Sequence, residues 1–107
     1  MRYLTWKLKW DADRKYGYGP EPVVAEAGGR LEASSYVSSD TENSVILGYL
    51  YSDIDISLLA DWDAQELSEQ DALSFAQAID ETAFVGENGV VKSNNNIGRP
   101  QNRITEK

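Results

Sequence analysis

The feature that most constrains the fold is the stretch Val45–Tyr51, in which seven apolar or small residues follow one another. The stretch is too short for a free-standing helix and is rich in the β-branched and aromatic residues that strands favour. Because polar residues do not alternate with the apolar ones, the pattern is typical of a strand covered on both faces. The sequence therefore predicts that Val45–Tyr51 forms the central strand.

The size and composition of the chain limit the chemistry that it can carry. A length of 107 residues predicts a single domain with one modest core. The chain has 0 Cys and 0 His, which removes the thiolate nucleophile, the commonest general base and the usual zinc ligands. No stretch has the length of a membrane span, and the N-terminus is not typical of a signal peptide. We therefore expect a non-enzymatic, cytosolic protein without a cofactor.

The charge is distributed unevenly along the sequence. Residues 31–91 contain 13 acidic and no basic side chains, whereas residues 1–30 carry a net charge of +2 and residues 92–107 one of +3. Carboxylates crowded on one surface repel one another, and such a surface is typical of a docking face for a basic partner. The alternative is an acidic surface that serves only solubility. We expect the negative middle and the positive ends to occupy separate regions of the surface.

The N-terminal residues alternate in the manner of a strand from Arg2 to Trp10. One face is predicted to enter the core, and it comprises Leu4, Trp6, Leu8 and Trp10. The opposite face is predicted to be exposed, and it comprises Tyr3, Thr5, Lys7 and Lys9. The two lysines are expected to pair with carboxylates across the sheet.

The residues from Asp11 to Pro22 are predicted to form a loop, because glycine and proline interrupt regular structure. Alternating tyrosine and glycine is typical of adaptable binding loops, so Tyr16 and Tyr18 are candidates for contact with a partner. The alternative is that both rings cover the open end of the sheet.

Two further segments are predicted as strands. Val23–Ala27 and Arg30–Val37 flank a Gly-Gly pair, which predicts a β-hairpin; the competing interpretation is a short helix from Pro22 to Ala27. Residues 53–58 alternate and predict a half-buried or edge strand with Asp53 and Asp55 pointing outward.

The second half predicts one helix and one hairpin. Ser68 is a predicted N-cap, and an apolar stripe follows at helical spacing, formed by Ala72, Phe75, Ala76 and Ile79. An Asn-Gly pair between Phe84 and Val91 predicts a hairpin turn. The sequence thus predicts an α+β domain over residues 1–92, a mainly antiparallel sheet of about four to six strands with one amphipathic helix on one face. Residues 93–107 are predicted to be a polar, basic, disordered tail.

Two carboxylate pairs, Asp53 with Asp55 and Asp61 with Asp63, are candidates for chemistry. A calcium loop starting at Asp61 would lack its glycine and its final glutamate. Glycoside hydrolysis needs two carboxylates across a cleft, which a domain of this size is too small to build. Nucleic-acid binding is disfavoured by the net charge of −8. The carboxylates are therefore assigned to partner binding.

The aromatic first strand (Tyr3-Leu4-Thr5-Trp6), the absence of Cys and His, and a basic tail on an acidic body resemble small virion or accessory proteins of tailed bacteriophages. This resemblance implies a structural subunit in a virion, or a host-directed inhibitor that blocks a basic, nucleic-acid-binding cleft in the host cytoplasm. In either role the expected partners are proteins, including other copies of the chain. The predicted partner-binding residues are Tyr16, Tyr18, Asp53, Asp55, Asp61, Asp63, Arg99 and Arg103.

Overall fold

The computed structural model describes residues 1–13, 15–38 and 44–94. Within these ranges the strands are β1 (Arg2–Lys7), β2 (Lys9–Trp10), β3 (Gly17–Tyr18), β4 (Leu31–Val37), β5 (Val45–Leu50), β6 (Gln65–Leu67), β7 (Phe84–Val85) and β8 (Val91–Lys92). The helices are α1 (Glu21–Glu26), a 3₁₀ helix (Ile56–Trp62) and α2 (Glu69–Ile79).

The main sheet has four strands in the order β4-β5-β1-β6, and all of its neighbours are antiparallel. Tyr3 of β1 lies opposite Tyr49 of β5 on one side and Leu67 of β6 on the other. β1 and β5 are thus the two interior strands. The predicted α+β class and the predicted central strand are confirmed, and β5 ends one residue before Tyr51.

One face of the sheet is covered by α2 and by the hairpin of β7 and β8. Its buried residues form one core cluster, comprising Tyr3, Tyr36, Leu47, Tyr49, Ala72, Ala76, Ala83 and Val91. The hydroxyl of Tyr3 donates to the carbonyl of Gly89 at 2.7 Å, and the amide of Val91 donates to the hydroxyl of Tyr49 at 3.1 Å. These two bonds fix the hairpin to the sheet.

The opposite face is covered by α1 and the 3₁₀ helix, and it holds a second cluster of Leu4, Trp6, Val24, Leu31, Leu50 and Leu59. Burial of Leu4 and Trp6 is as predicted, and Trp10 is half-buried. The predicted exposed face of β1 is wrong for Tyr3 and Thr5, which are each only 7% exposed. The reason is that α2 and its hairpin cover the face that alternation alone assigns to water.

The predicted hairpin around Gly28-Gly29 is also wrong, and the competing helix is correct. The amide of Gly28 donates to the carbonyl of Ala25, and the amide of Gly29 donates to the carbonyl of Val24. These two bonds form a Schellman motif, and Gly28 supplies the positive φ of 86° that it requires. Pro22 lies in the first helical turn, where its missing N–H costs nothing.

Residues 53–58 do not form the predicted strand. The Asp55 carboxylate accepts a hydrogen bond from the amide of Ser57 at 2.9 Å and caps the 3₁₀ helix that begins at Ile56. Aspartate favours such local bonds over a strand ladder, and this preference turns the chain. Leu59 enters the core, while Leu58 remains 53% exposed.

Two short strands lie where the sequence predicts none. The span from Asp11 to Pro22 includes β3, which pairs with β2, and α1 begins before this span ends. The segment after Trp62 turns at Asp63, whose φ is 54°, and then forms β6 beside β1. Both strands are too short to show a periodic pattern in sequence.

Helix α2 begins where it is predicted to begin. The Ser68 hydroxyl accepts a hydrogen bond from the amide of Asp71 at 3.1 Å, which satisfies one of the free amides of the first turn. Ala72 and Ala76 are fully buried, so the helix lies close to the sheet. Ile79 departs from the predicted apolar stripe and is 36% exposed.

The predicted hairpin after α2 is confirmed, with Val85 opposite Val91. Beyond it, Ser93 is buried and the amide of Asn94 donates to the hydroxyl of Thr82 at 3.1 Å. Ser93 and Asn94 of the predicted tail are thus placed against the domain, and the remainder of that tail, residues 95–107, lies outside the described residues. None of the helices in the described ranges combines the length and the apolar character that crossing a bilayer requires.

Candidate interaction site

The hairpin formed by β2 and β3 projects two tyrosines from the body of the protein. Lys9 lies opposite Tyr18, and Trp10 lies opposite Gly17. The amide of Asp11 donates to the carbonyl of Tyr16 at 3.1 Å, and the Asp11 carboxylate accepts from the amide of Tyr16 at 3.1 Å. The backbone of the hairpin is therefore held at both ends of the loop.

Gly17 leaves space for two side chains that pack beside it. A Cβ atom there would lie 3.2 Å from Cδ1 of Leu8 and 3.4 Å from Cη2 of Trp10. The absence of a side chain lets Trp10 fold over the inner side of the hairpin. The alternation of tyrosine and glycine thus places small residues toward the body and aromatic rings toward the outside.

Tyr16 and Tyr18 are two residues apart on this hairpin and present their rings on the same side. Their side chains are 60% and 44% exposed. The ring centroids are 6.3 Å apart and the planes are tilted by 50°, which is within the range of attractive aromatic pairs. The pair is therefore an exposed aromatic surface with a defined internal geometry.

The 3₁₀ helix supports the tyrosines through Trp62. The indole nitrogen of Trp62 donates to the carbonyl of Tyr18 at 3.3 Å. The ammonium of Lys9 lies 4.4 Å from the centroid of the Trp62 ring, in the geometry of a cation–π contact. The Lys9 ammonium also lies 3.9 Å from the carboxylate of Asp61. We call the surface formed by Lys9, Tyr16, Tyr18, Asp61 and Trp62 the tyrosine face.

The two carboxylates beside Trp62 are accessible. The Lys7 ammonium lies 3.3 Å from Asp63, and the side chains of Asp61 and Asp63 are 80% and 65% exposed. Ion pairs as exposed as these contribute about 0–1 kcal/mol, so either carboxylate can exchange its lysine for another cation at little cost. Lys7 and Lys9 pair with carboxylates, as predicted, but these carboxylates lie on the 3₁₀ helix and at its end and not on a neighbouring strand.

These pairs correct the expected separation of charge. Arg2 also contacts Glu66 of the acidic middle, at 3.0 Å, and Arg30 contacts Glu32 at 3.6 Å. Antiparallel pairing of β1 with β6 brings Arg2 against Glu66 of the acidic middle, whereas Arg30 and Glu32 are only two residues apart in the sequence. The two charged regions are not separate along this strand.

Asp53 and Asp55 lie elsewhere, beside Arg2. Asp55 is the cap of the 3₁₀ helix, and the hydrogen bonds from Ser57 hold the pKa of its carboxyl below the ordinary value. Asp53 lines a pocket of about 280 Å³ together with Met1, Arg2, Leu50, Tyr51 and Ser52. The Arg2 guanidinium already donates to the carbonyls of Ser52 and Ile54 and to Glu66, so its donors are committed to the protein.

The structure therefore brings three of the predicted partner-binding residues, Tyr16, Tyr18 and Asp61, together on the tyrosine face, and Asp63 lies beside this face, paired with Lys7. Asp53 and Asp55 form no part of that surface, and Arg99 and Arg103 lie outside the described residues. Sequence reasoning missed the contributions of Lys9 and Trp62. The alternation from Arg2 to Trp10 did predict that Lys9 pairs with a carboxylate, but its contact with Trp62 depends on the path of the 3₁₀ helix.

The tyrosine face combines two exposed aromatic rings, a half-buried indole, an ammonium and a carboxylate. Its groups offer aromatic stacking, attraction of a cation to a ring, and exposed carboxylate acceptors. In residues 1–13, 15–38 and 44–94, no group of three or more His, Cys, Asp or Glu side chains is arranged to hold a metal ion.

No protein-family model matches the chain, and no curated protein or solved structure matches it significantly. Fold and site together define a small α+β protein in which helical elements cover both faces of an antiparallel sheet, with an aromatic surface at one hairpin.

Proposed function

We propose that this chain is a non-enzymatic interaction protein that docks through the tyrosine face as a small subunit of a larger assembly. The observation that carries the proposal is the exposure of Tyr16 and Tyr18 on a hairpin whose backbone is fixed by hydrogen bonds. Tyrosine and tryptophan are the residues most enriched among those that dominate protein interfaces. They bury a large area on binding and lose little conformational entropy.

The charge of the protein supports the same role. A net charge of −8 attracts basic surfaces over a distance of about one Debye length, which speeds association and makes it sensitive to salt. The sequence resemblance to small tailed-bacteriophage proteins supports a virion as the assembly. In this proposal the acidic surface and the basic residues Arg99 and Arg103 provide contacts to neighbouring subunits, which include other copies of the chain.

A double variant, Tyr16→Ala/Tyr18→Ala, tests the proposal in the full-length chain. We expect it to keep its folded circular-dichroism spectrum and to lose incorporation into the assembly with which the unmodified chain co-purifies. Phe84→Ala is the matched control, since Phe84 is an aromatic residue of similar exposure (45%) on a different hairpin. Equal incorporation of the tyrosine variant and the control would contradict the proposal.

A second candidate is an acidic inhibitor that occupies the basic, nucleic-acid-binding cleft of a host protein. Asp61 and Asp63 favour it, because their exposed carboxylates could replace phosphates in such a cleft. This role predicts that Asp61→Asn/Asp63→Asn abolishes inhibition of a host nucleic-acid-binding enzyme. Glu81→Gln/Glu87→Gln, with the same loss of charge at two exposed sites, should retain it. If both double variants inhibited equally, any inhibition would depend on the overall negative charge and not on Asp61 and Asp63, and this candidate would be rejected.

A further inference from the structure

We infer that the tyrosine face binds an arginine-bearing segment of its protein partner, with the guanidinium stacked on a tyrosine ring and bonded to the Asp61 carboxylate. The inference rests on the proposed interaction role and specifies the chemistry of the partner. Three observations carry it: two exposed rings, an adjacent carboxylate with a weak internal partner, and a protein that is negative as a whole.

The first observation concerns the rings. Among the residues that the structure describes, cations lie over aromatic rings at two places: Lys9 over Trp62 at 4.4 Å, and Arg30 over Tyr51 at 4.3 Å. Across the described ranges, the cations make no such contact with Tyr16 or Tyr18. Both of these rings are exposed to solvent and are therefore available to a cation from outside.

The second observation concerns Asp61. Its side chain is 80% exposed and its only ion pair among the described residues is with Lys9, at the long distance of 3.9 Å. A guanidinium offers two parallel N–H donors to a carboxylate, which an ammonium cannot do. Lys9 lies opposite Tyr18 and contacts Trp62, so it can remain on the indole when an arginine occupies Asp61.

The third observation concerns the sign of the partner's charge. Lys9 and Lys15 lie near the tyrosines, but Lys9 is shared with Asp61 and the neighbouring Lys7 is paired with Asp63. The tyrosine face is therefore close to neutral locally, inside a protein of net charge −8. A phosphate-rich partner is repelled by this overall field, whereas a basic segment is attracted. Arginine is favoured over lysine because its planar, weakly hydrated group stacks on tyrosine.

Nuclear magnetic resonance of the full-length ¹⁵N-labelled chain tests this inference. The probes are two blocked peptides of equal length and charge, Gly-Ser-Arg-Gly-Arg-Ser-Gly and its counterpart with lysine in place of arginine, at about 20 mM and about 150 mM NaCl. The reporters are the amides of Gly17, Tyr18 and Gly19 and the indole N–H of Trp62. We expect the arginine peptide to shift these signals and to bind at least about fivefold more tightly than the lysine peptide.

The Tyr16→Ala/Tyr18→Ala variant should lose that preference for arginine, and Asp61→Asn should weaken arginine binding by about fivefold or more, while Glu87→Gln leaves it unchanged. Equal affinity for both peptides overturns the inference, as do shifts spread over the acidic surface. Tighter binding of a blocked oligothymidine at the same signals also overturns it, since the rings would then serve a nucleic acid. Loss of assembly in the tyrosine variant, without any preference for arginine, would reject this inference and leave the interaction role intact.

Discussion

Gly48 of β5 packs against the indole of Trp6 from β1, so closely that a Cβ atom on Gly48 would overlap Cη2 and Cζ3 of that ring. The same Cβ would lie 2.6 Å from the carbonyl oxygen of Glu32 on β4. The glycine within the apolar run Val45–Tyr51 is thus explained by the tryptophan that crosses it. At Gly48 the backbones of β4 and β5 and the Trp6 ring of β1 are in close contact.

We predict that Gly48→Ala destabilises the protein by about 1–3 kcal/mol, because an added methyl group must displace a buried indole and a strand backbone. Urea unfolding followed by tryptophan fluorescence measures the loss. In the Trp6→Phe background the cost should be smaller, since a phenyl ring lacks the atoms that Gly48 contacts, and the two substitutions form a double-mutant cycle. An identical cost in both backgrounds would show that Trp6 is not the obstruction.

Arg2 joins three parts of the chain, since it donates to the carbonyls of Ser52 and Ile54 at 3.1 and 2.8 Å and to Glu66 at 3.0 Å. We expect Arg2→Lys to cost about 1–2 kcal/mol, because an ammonium cannot reach all three acceptors at once. Glu66→Gln removes only an exposed partner and should cost less than about 1 kcal/mol. Thermal unfolding of the two variants side by side gives the comparison, and an equal cost would refute the bridging role of Arg2.

The hydrogen bond from Arg2 also holds the pKa of Glu66 below its ordinary value. A carboxyl whose folded-state pKa is lowered stabilises the protein above its unfolded pKa and loses that contribution as pH falls through the folded pKa. The difference in stability between the unmodified chain and Glu66→Gln should therefore shrink below about pH 4. Urea midpoints measured from neutral to acidic pH would show this convergence, and a constant difference would argue against it.

Tyr49 should contribute to the loss of stability at high pH. Burial is the main cause that raises the pKa of its hydroxyl to about 12. A group with a raised folded-state pKa stabilises the protein fully below its unfolded pKa, about 10, and loses that contribution as pH rises to about 12. Tyr49→Phe should remove this loss from the alkaline unfolding curve.

The same substitution leaves the buried amide of Val91 without its acceptor, the Tyr49 hydroxyl at 3.1 Å, so stability at neutral pH should fall by about 1–3 kcal/mol. Absorbance titration at the phenolate band should show one late ionisation fewer in the variant. An unchanged titration would mean that Tyr49 is not the late group.

The N-cap of α2 provides a further test. Ser68→Ala removes the acceptor of the Asp71 amide and should cost about 1 kcal/mol of stability. Ser74→Ala is the matched control, since Ser74 is an exposed serine in the interior of the same helix, where alanine is the better helix former. If Ser74→Ala lost as much stability as Ser68→Ala, the loss in Ser68→Ala could not be assigned to the N-cap hydrogen bond.

What sequence reasoning could predict is the structure that depends on neighbours along the chain. The cap at Ser68 and the Asn-Gly turn before Val91 are local, and both are where the sequence places them. The run Val45–Tyr51 predicts a strand covered on both faces because it has apolar or small residues at every position. In the structure, core clusters on both faces of the sheet include residues of this run.

The errors arise where a distant element decides the outcome. Tyr3 reads as exposed until α2 is known to lie over it. Asp55 is predicted to lie in a strand because polar and apolar residues alternate over 53–58. An aspartate that caps a helix before an apolar residue produces the same alternation over so short a stretch. The choice between hairpin and helix before Gly28 depends on whether the carbonyls of Val24 and Ala25 bond locally or to a neighbouring strand.

The candidate site divides in the same way. The alternation of tyrosine with glycine made Tyr16 and Tyr18 candidates in a predicted loop, and the structure places both rings on one side of a hairpin. Spacing alone could not separate Asp61 from Asp55, since both belong to an aspartate pair. Only the contact between Trp62 and Tyr18 shows that Asp61 lies at the tyrosines and Asp55 does not.

The first strand of the chain is an interior strand of the sheet, and both of its partners, β5 and β6, come from much later in the sequence. On the ribosome, the apolar residues of β1 must therefore wait until synthesis has passed Leu67 before their ladder is complete. During that interval Leu4 and Trp6, which are buried in the folded protein, lack their covering layers, and apolar residues exposed in this way favour aggregation.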